Sequence, residues 1–508
     1  MEVFDLRPAL APAISFVCAG LVFVMGGSPF WRALWSLGAA VLKLAVVASM
    51  LPGALAGTVY VSGSVDFPPG IGLGFRADGL GMFFALVSST LWVLTTIYAL
   101  GYMKDEEAQA RFFGFFALCV STTVAIAFAE NLLTLFVFYE LLTVCTYPLV
   151  IHRQTPEALR AGRKYLAYLL VGGGFVLIGT VATYAAAGTL TLGQVGILDS
   201  GLGRPTLAFI FITLAVGFGF KTAVMPLHAW LPAAMVAPTP VSALLHAVAV
   251  VKVGAFGILR LIYNVFGVDL LGELGFALWL AWIAGLTILA ASIMALLQEN
   301  LKRRLAWSTV SQLSYIVLGA ALLSPLAAIA AVVHLANQAF AKITMFFVAG
   351  AVEKATGKTR IPELAGMGRQ MPWTMAAFTV ASLSFIGVPL FAGFVTKWYL
   401  SLGALEAGLW GFALLMAVSA LLNAAYWLPI IYLAWFRRPG DGGGRGSGRK
   451  GHGDESRAPG GEVREAPPSL LVPTLICAAY VILLGTTYRV PGAPFTLAQV
   501  AAEAVLGK

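Results

Sequence analysis

Residues 132–151 read LLTLFVFYELLTVCTYPLVI, a run that is apolar at nearly every position and carries one charge, Glu140, near its centre. A helix needs about 20 such residues to cross the hydrocarbon core of a bilayer. The run lacks the period-two alternation, in segments of about 10 residues, that builds a membrane barrel. Residues 276–297, FALWLAWIAGLTILAASIMALL, have the same character with no charge at all. The whole chain agrees. Of 508 residues 59% are apolar and 11% charged, with a mean hydropathy of +0.88, against roughly 45–50% and about 25% in a soluble domain. A soluble globule is excluded, and the fold expected is an all-α polytopic membrane protein.

Apolar runs bounded by charges, glycine or proline fall near residues 9–26, 31–51, 79–101, 112–128, 132–151, 164–187, 206–224, 239–266, 273–297, 305–323, 326–352, 373–401, 409–436 and 469–487, about fourteen spans. Residues 1–26 start with acids and lack both a basic stretch and an Ala-x-Ala site, so they read as the first span and not as a signal peptide. The loops then separate by parity. Those after odd-numbered spans, with their flanks, hold Arg32, Lys104, Arg111, Arg153, Arg160, Arg163, Lys164, three residues from Lys302 to Arg304, four from Lys354 to Arg369 and seven from Arg437 to Arg464. That is twenty-one basic residues against six on the other side. The positive-inside rule places the odd loops in the cytoplasm and both termini outside, in a cell inner (plasma) membrane. The net charge of +9 then reflects topology and does not imply nucleic acid. Residues 437–468 have the Gly, Pro and charge content of a disordered cytoplasmic linker. Their glycines lack the Gly-Lys-Ser/Thr of a nucleotide loop, and no strand precedes them. Cys18, Cys119, Cys145 and Cys477 sit singly in apolar runs and read as buried, inert thiols.

Five lysines remain inside spans: Lys43, Lys221, Lys252, Lys342 and Lys397. A charge at mid-membrane costs about 2.5–3.5 kcal/mol even on lenient scales, so they should face protein or water. Lys43, with no motif around it, is expected to snorkel to the interface. Glu140, if ionised, needs a cation beside it, as a structural ion pair or as a pathway residue; intramembrane ionisable groups are pathway residues by default. Past Lys221 comes TAVMPLHAWLPAAMVAPTPV. Pro226 has no N–H for the Thr222 carbonyl, so the helix should break one residue after the lysine, with His228 in the interrupted segment. Broken helices at membrane depth line hydrated cavities. His246 and Lys252, six residues apart, stand about 120° off a common helix face, and His246 reads equally as a core histidine or a pathway group. His334, Gln338 and Lys342 recur at i, i+4 and i+8, with Asn337 beside them, while Ser308, Ser311, Gln312 and Tyr315 form a second stripe one span earlier. Such stripes serve as interhelical hydrogen-bond glue or hold a file of waters, and the lysine favours water because glue requires no charge. Lys397 follows Gly387, Pro389 and Gly393 in another interrupted span. Gly-Phe then Lys recurs in GFGFK at Lys221 and GFVTK at Lys397, which points to an inverted repeat with spans 4–8 and 9–13 as halves.

Several long pieces agree together: FYELLTVCTYPLV with Glu140; FKTAVMPLHAWLPAAMVAPTPVSALLHAVAVVKVGAFGILR with Lys221, His228, His246 and Lys252; QENLKRRLAWSTVSQLSY with Ser311; HLANQAFAKITMFFVAGAV with His334, Gln338 and Lys342; and FVTKWYL with Lys397. Over roughly residues 75–436 they resemble the antiporter-like membrane subunits of respiratory complex I, membrane-bound hydrogenases and Mrp-type sodium–proton antiporters. The resemblance implies about fourteen transmembrane helices with two inverted five-helix repeats containing broken helices. Here these would be residues 112–266 and 267–436, after three spans in 1–111 and before the 437–468 linker and a last span and tail in 469–508. It also implies a proton route through Glu140, Lys221, Lys252, Lys342 and Lys397, with His228, His246, His334, Gln338 and Ser311 as accessory groups. Lys397 followed by Trp398, together with the preceding MPWTMAAFTVASLSFIGVPL, is most similar to the D-type subunits of Mrp antiporters; the complex I subunit nearest in plan has a glutamate there. Family members often carry His-Ala where this chain has Gln338-Ala339, so that relay role passes to water.

No nucleophile–base set, metal cluster or cofactor motif is present, so no cofactor, no metal and no covalent chemistry are expected. The chain reads as part of a secondary transporter and not as an enzyme: the proton-translocating subunit of a multisubunit Na+ or K+/proton antiporter, partnered by other membrane subunits. The alternatives are a proton-pumping subunit of a redox-driven complex and an autonomous secondary transporter.

Overall fold

Inside a bilayer a backbone must satisfy its own hydrogen bonds, and the apolar runs do so as helices. The computed structural model describes residues 1–66, 72–193, 196–438, 464–488, 490 and 494–506. In chain order the principal helices are α1 (Arg7–Met25), α2 (Pro29–Ser49), α3 (Gly79–Tyr102), α4 (Gln109–Ala127), α5 (Leu132–Val150), α6 (Pro156–Ala187), α7 (Arg204–Thr222), α8 (Val250–Arg260), α9 (Phe276–Leu296), α10 (Leu301–Ala321), α11 (Pro325–Thr356), α12 (Pro372–Ile386), α13 (Ala392–Glu406), α14 (Trp410–Phe436), α15 (Pro468–Thr486) and a short α16 (Pro494–Val505). Local chemistry fixes several starts. The side chains of Asn131, Thr155, Asn300 and Ser324 each accept the backbone N–H three residues on.

Twelve of these segments are long and apolar enough to cross a membrane by length and composition alone. The other two expected spans are also helical, and each misses that test for a physical reason. α10 opens with Lys302, Arg303 and Arg304 and carries the Ser/Gln/Tyr stripe, while α12 and α13 are each 15 residues long because a break separates them. One feature was not expected. β1 (Glu2–Phe4) runs parallel to β2 (Val59–Asp66), which pairs antiparallel with β3 (Gly72–Ala77), Glu2 facing Val59 and Tyr60 facing Ala77. Such short strands leave little trace between long apolar runs.

The span Thr239–Phe266 is buried throughout and α11 almost so, whereas α1 and α2 keep most of their surface outward. α8 and α11 therefore form the axis of the bundle, and polar groups on them face protein. α7 ends at Thr222, with Ala223 left-handed at φ 59°, as Pro226 requires. Before α8 the chain makes a π turn over Leu244–Val248 and an irregular Ala249 at φ −105°, ψ −96°. The α-helical angle between His246 and Lys252 therefore does not apply. α12 ends at Ile386, Gly387 is left-handed at φ 93°, and α13 starts at Ala392. Lys221 precedes its break and Lys397 follows its own, so the Gly-Phe…Lys recurrence does not put the two lysines at corresponding points.

Residues 439–463 of the expected linker lie outside the described residues. Its far end is held and not loose: the Glu465 carboxylate accepts the Trp373 N–H at 2.8 Å and the Thr374 hydroxyl at 2.5 Å. The four cysteines are buried and unpaired.

Candidate functional site

Glu140 sits at the centre of α5 and is half-buried, its carboxylate laid against Gly173 of α6. A Cβ on Gly173 would stand 1.9 Å from Oε1, so glycine here lets the carboxylate keep this place. Oε1 finds no protein hydrogen-bond partner among the described residues. Lys221, wholly buried in the last turn of α7, donates to the Tyr139 carbonyl and lies 3.3 Å over the Tyr139 ring centroid. Glu140 and Lys221 feel each other's charge, yet they form no ion pair within 4.0 Å. The neighbour of the acid, and not the acid itself, holds the ammonium, because a carbonyl and an aromatic face are both attractive to a desolvated cation. α8 packs straight onto this point: a Cβ on Gly254 would meet the Thr222 nitrogen at 2.3 Å and the Lys221 carbonyl carbon at 2.7 Å. Lys252 lies two residues earlier on α8.

The other predicted groups converge around α11. His246, Lys252, His334, Gln338 and Lys342 are all 2% exposed or less. Lys342 Nζ donates to Ser308 Oγ and lies 4.3 Å from the Phe385 ring centroid and 5.6 Å from that of Trp427. Gln338 Nε2 donates to the His246 carbonyl at 3.4 Å. Asn337 Nδ2 donates to the Ala392 carbonyl at 2.8 Å and to Thr396 Oγ1 at 2.9 Å, and that same hydroxyl lies 3.2 Å from His334 Nδ1. His334 feels the charges of Lys252, Lys342 and Lys397, and His246 that of Lys342. Half-buried Lys397 donates to the Phe385 and Ile386 carbonyls at 2.8 and 2.9 Å, the last carbonyls of α12, and lies 5.9 Å from the Tyr315 ring centroid. Among the described residues Lys252 Nζ, both ring nitrogens of His246, His334 Nε2, Gln338 Oε1 and Gln312 Nε2 have no protein partner. Buried polar atoms need partners, and ordered water supplies them where protein does not.

Other expected groups fall elsewhere. Ser311 bonds toward α9, 3.0 Å from Ser292 Oγ and donating to the Ile288 carbonyl at 3.2 Å. Ser308 supplies the hydroxyl on Lys342. His228 is half-buried in the interrupted segment against the Trp307 ring, 5.0 Å between centroids, and is not gathered with the α11 groups. Lys43 does not snorkel. It is fully buried with its Nζ 3.7 Å over the Trp92 ring centroid, because α2 turns this face onto α3.

Tyr139, Thr396, Phe385 and Trp427 were not foreseen, as nothing in an apolar sequence marks which aromatic ring faces a lysine. Also missed was the pair of Arg260 and Asp78. Arg260 is 1% exposed inside the Thr239–Phe266 span and binds Asp78 bidentately at 2.5 and 2.9 Å. Burial pushes the Asp78 carboxyl up, but Arg260, with the Gly81 N–H and Arg76, outweighs burial and holds it below its ordinary value. An acid just before one span and an arginine within another were the available signal.

Residues 129–423 match the family described as NADH:quinone oxidoreductase/Mrp antiporter, TM. The chain belongs to this family of membrane subunits. Residues 68–113 match the family described as NADH-Ubiquinone oxidoreductase (complex I), chain 5 N-terminus. Over 437 residues the chain is 35% identical to the N subunit of NADH-quinone oxidoreductase of Desulforudis audaxviator (strain MP104C), covering 84% of each. Over 418 residues it is 32% identical to the A/B subunit of a probable K(+)/H(+) antiporter of Rhizobium meliloti (strain 1021), covering 80% of this chain but 41% of that relative. In fold it is similar to a chain of the archaeal membrane-bound sulfane sulfur reductase, with TM-score 0.86 and 24% identity, covering 99% of this chain and 98% of that one. A chain of the Mrp complex from Dietzia sp. DQ12-45-1b gives TM-score 0.85 and 22% identity with the same coverage.

Proposed function

We propose that the chain is the proton-translocating subunit of a multisubunit Na+ or K+/proton antiporter, of the Mrp D type, in a cell inner membrane. Protons move along Glu140, Lys221, Lys252, Lys342 and Lys397, with His246, His334, Gln338 and water between the lysines and His228 toward one membrane face. One observation carries the reading. Three wholly buried lysines stand, in chain order, between two half-buried ionisable groups, Glu140 and Lys397, both of which sit within helices and not at their ends. A charge exposed to lipid at that depth would be costly. Neighbouring subunits covering those two edges would remove the cost and offer each end of the relay a partner. The halves 112–266 and 267–436 would each contribute one broken helix, with the odd-numbered loops cytoplasmic and both termini outside.

The experiment is transport in everted membrane vesicles. Glu140→Ala and Lys221→Ala should abolish cation-dependent proton movement while the complex still assembles; normal transport in either would remove that residue from the route. The 35% identity to a quinone oxidoreductase subunit favours a second reading, a proton-pumping subunit of a redox-driven complex. Proton movement that answers to Na+ or K+ without an electron donor supports the first reading. Movement that requires a donor and an acceptor supports the second.

A further inference from the structure

We propose that a basic cavity between the starts of α6 and α10, which the proton route does not use, binds the phosphate of an anionic phospholipid headgroup. The cavity measures about 610 Å³. Arg153, Arg160, Lys164, Lys302 and Arg303 line it, against Glu157 and Glu353 as its only carboxylates among the described residues. Glu353 is already committed, accepting Lys302 Nζ at 2.5 Å and the Thr239 hydroxyl at 3.3 Å. Arg153 is partly committed to Glu106 at 3.4 Å, and Lys164 lies 5.9 Å from the Tyr168 ring centroid. Arg160 and Arg303 face the cavity exposed. The cavity thus has three cations in excess of its carboxylates.

The backbone adds the same sign. Thr155 and Asn300, the N-caps of α6 and α10, both line the cavity, so a 32-residue and a 21-residue helix each direct their positive end into it. Helix N-termini favour anions, and phosphate most of all when guanidinium groups stand beside them. Two converging N-termini with an arginine in each first or second turn make a composite site that neither helix forms alone.

The surroundings point to a lipid as the source of the phosphate. The cavity lies where two spanning helices begin, at the depth of the headgroups. From there α6 presents Leu159, Leu170, Val171, Leu177, Ile178 and Val181 outward, an apolar strip along which acyl chains can lie. Basic pockets between spans at a membrane surface are suited to anionic headgroups. Pro232, Ala233, Met235 and Val236, from the end of the interrupted segment that follows Lys221, also line the cavity. A headgroup seated there would bridge α6, α10 and that segment, tying down the part of the fold with least regular backbone.

The test is native mass spectrometry of the purified multisubunit complex in detergent, titrated with dioleoyl phosphatidylglycerol, dioleoyl phosphatidylcholine or inorganic phosphate. The wild-type complex should bind phosphatidylglycerol and discriminate against phosphatidylcholine. Arg160→Gln/Arg303→Gln should weaken binding of the anionic lipid by about thirtyfold, at about one kcal/mol for each cation removed, while Arg160→Lys/Arg303→Lys should retain it within about threefold. Equal binding of the two lipids, or full binding in the glutamine variant, overturns the proposal. Displacement of phosphatidylglycerol by millimolar inorganic phosphate alone would assign the cavity to free phosphate and overturn the lipid assignment. Should the glutamine variant fail to assemble, the competition on the wild-type complex still decides.

Discussion

The position of Glu140 can be shifted without touching Glu140. A methyl group added at Gly173 would lie 1.9 Å from Oε1 and 2.3 Å from Cδ. Ordinary contact is near 3.4 Å, so in Gly173→Ala the carboxylate must retreat by about 1.5 Å. The retreat is cheap for the fold because the obstructing atoms end a flexible side chain, and alanine is favoured over glycine in a helix by about 1 kcal/mol. Stability should therefore hold or rise. A retreat directed away from Lys221, for two charges about 5 Å apart at an effective dielectric near 20, removes roughly 0.5–1 kcal/mol of attraction, a two- to fivefold change in a proton equilibrium. Gly174→Ala is the matched control, because nothing lies within 4 Å of a Cβ there. The assay is cation-driven proton movement in everted vesicles, with the melting temperature of the purified complex measured alongside. Gly173→Ala should lose two- to fivefold in rate with an unchanged or higher melting temperature, and Gly174→Ala should lose nothing. Wild-type transport in Gly173→Ala would refute the argument that the carboxylate's place matters. A fall in melting temperature would show that the glycine serves packing instead.

Three further outcomes follow from the same geometry. His152, between α5 and α6, has its imidazole held below the usual value of about 6.5 by burial and then by Arg111. Near that pH the unfolded chain takes up a proton that the folded chain refuses, so stability is full above it and declines as pH falls through it; the melting temperature should drop between pH 7.5 and 5.5, and less so in His152→Asn, an equal drop counting against the argument. Lys43→Met removes a buried ammonium whose desolvation exceeds what the Trp92 face returns, and should raise stability by about 1–4 kcal/mol with transport intact; lost transport would extend the relay to α2. In Lys397→Arg the guanidinium can still reach the Phe385 and Ile386 carbonyls but cannot release a proton. That variant should assemble normally and transport as poorly as Lys397→Ala, whereas wild-type rates would make Lys397 a cap for α12 and nothing more.

What the sequence discloses follows from the range of the interaction involved. Spans, the break after Thr222 and the interruption before Ala392 depend on contiguous residues and are readable. So is the polar stripe of α11, because helical period fixes which residues share a face. Which neighbour that face meets depends on packing. Ser308 and Ser311 are three residues apart in one stripe, yet one binds Lys342 and the other α9. The π turn at Leu244–Val248 also defeats any angle drawn from regular helix geometry. Arg260 and Asp78 are 182 residues apart in the chain, and no local pattern announces such a pair. Lys43 departs from expectation because a lysine can snorkel only where its own helix face is open, and that face belongs to the fold.

Arg260 and the lysines within or beside the spans divide by what holds them. Arg260 is clasped by Asp78, and Lys302 by Glu353 at 2.5 Å, each a charge-assisted pair with a carboxylate. Such a pair fixes the cation, since a deprotonated partner would leave the acid buried and alone. The lysines proposed for the relay are held differently: Lys221 by a carbonyl and a ring, Lys342 by a hydroxyl and rings, Lys397 by two carbonyls, and Lys252 by no protein group among the described residues. None of these partners carries a full charge. A hydroxyl can turn to donate to a neutral amine as readily as it accepts from an ammonium, and a carbonyl or ring loses only a favourable contact when the proton leaves. Lys252, Lys342 and Lys397 can therefore exist in both protonation states without stranding a counter-charge, whereas Lys221 also answers to the more distant charge of Glu140. Lys43 over Trp92 belongs to this second class by its surroundings and stands apart from the route by its place, which makes its replacement the sharpest test of whether exchangeability alone defines the path.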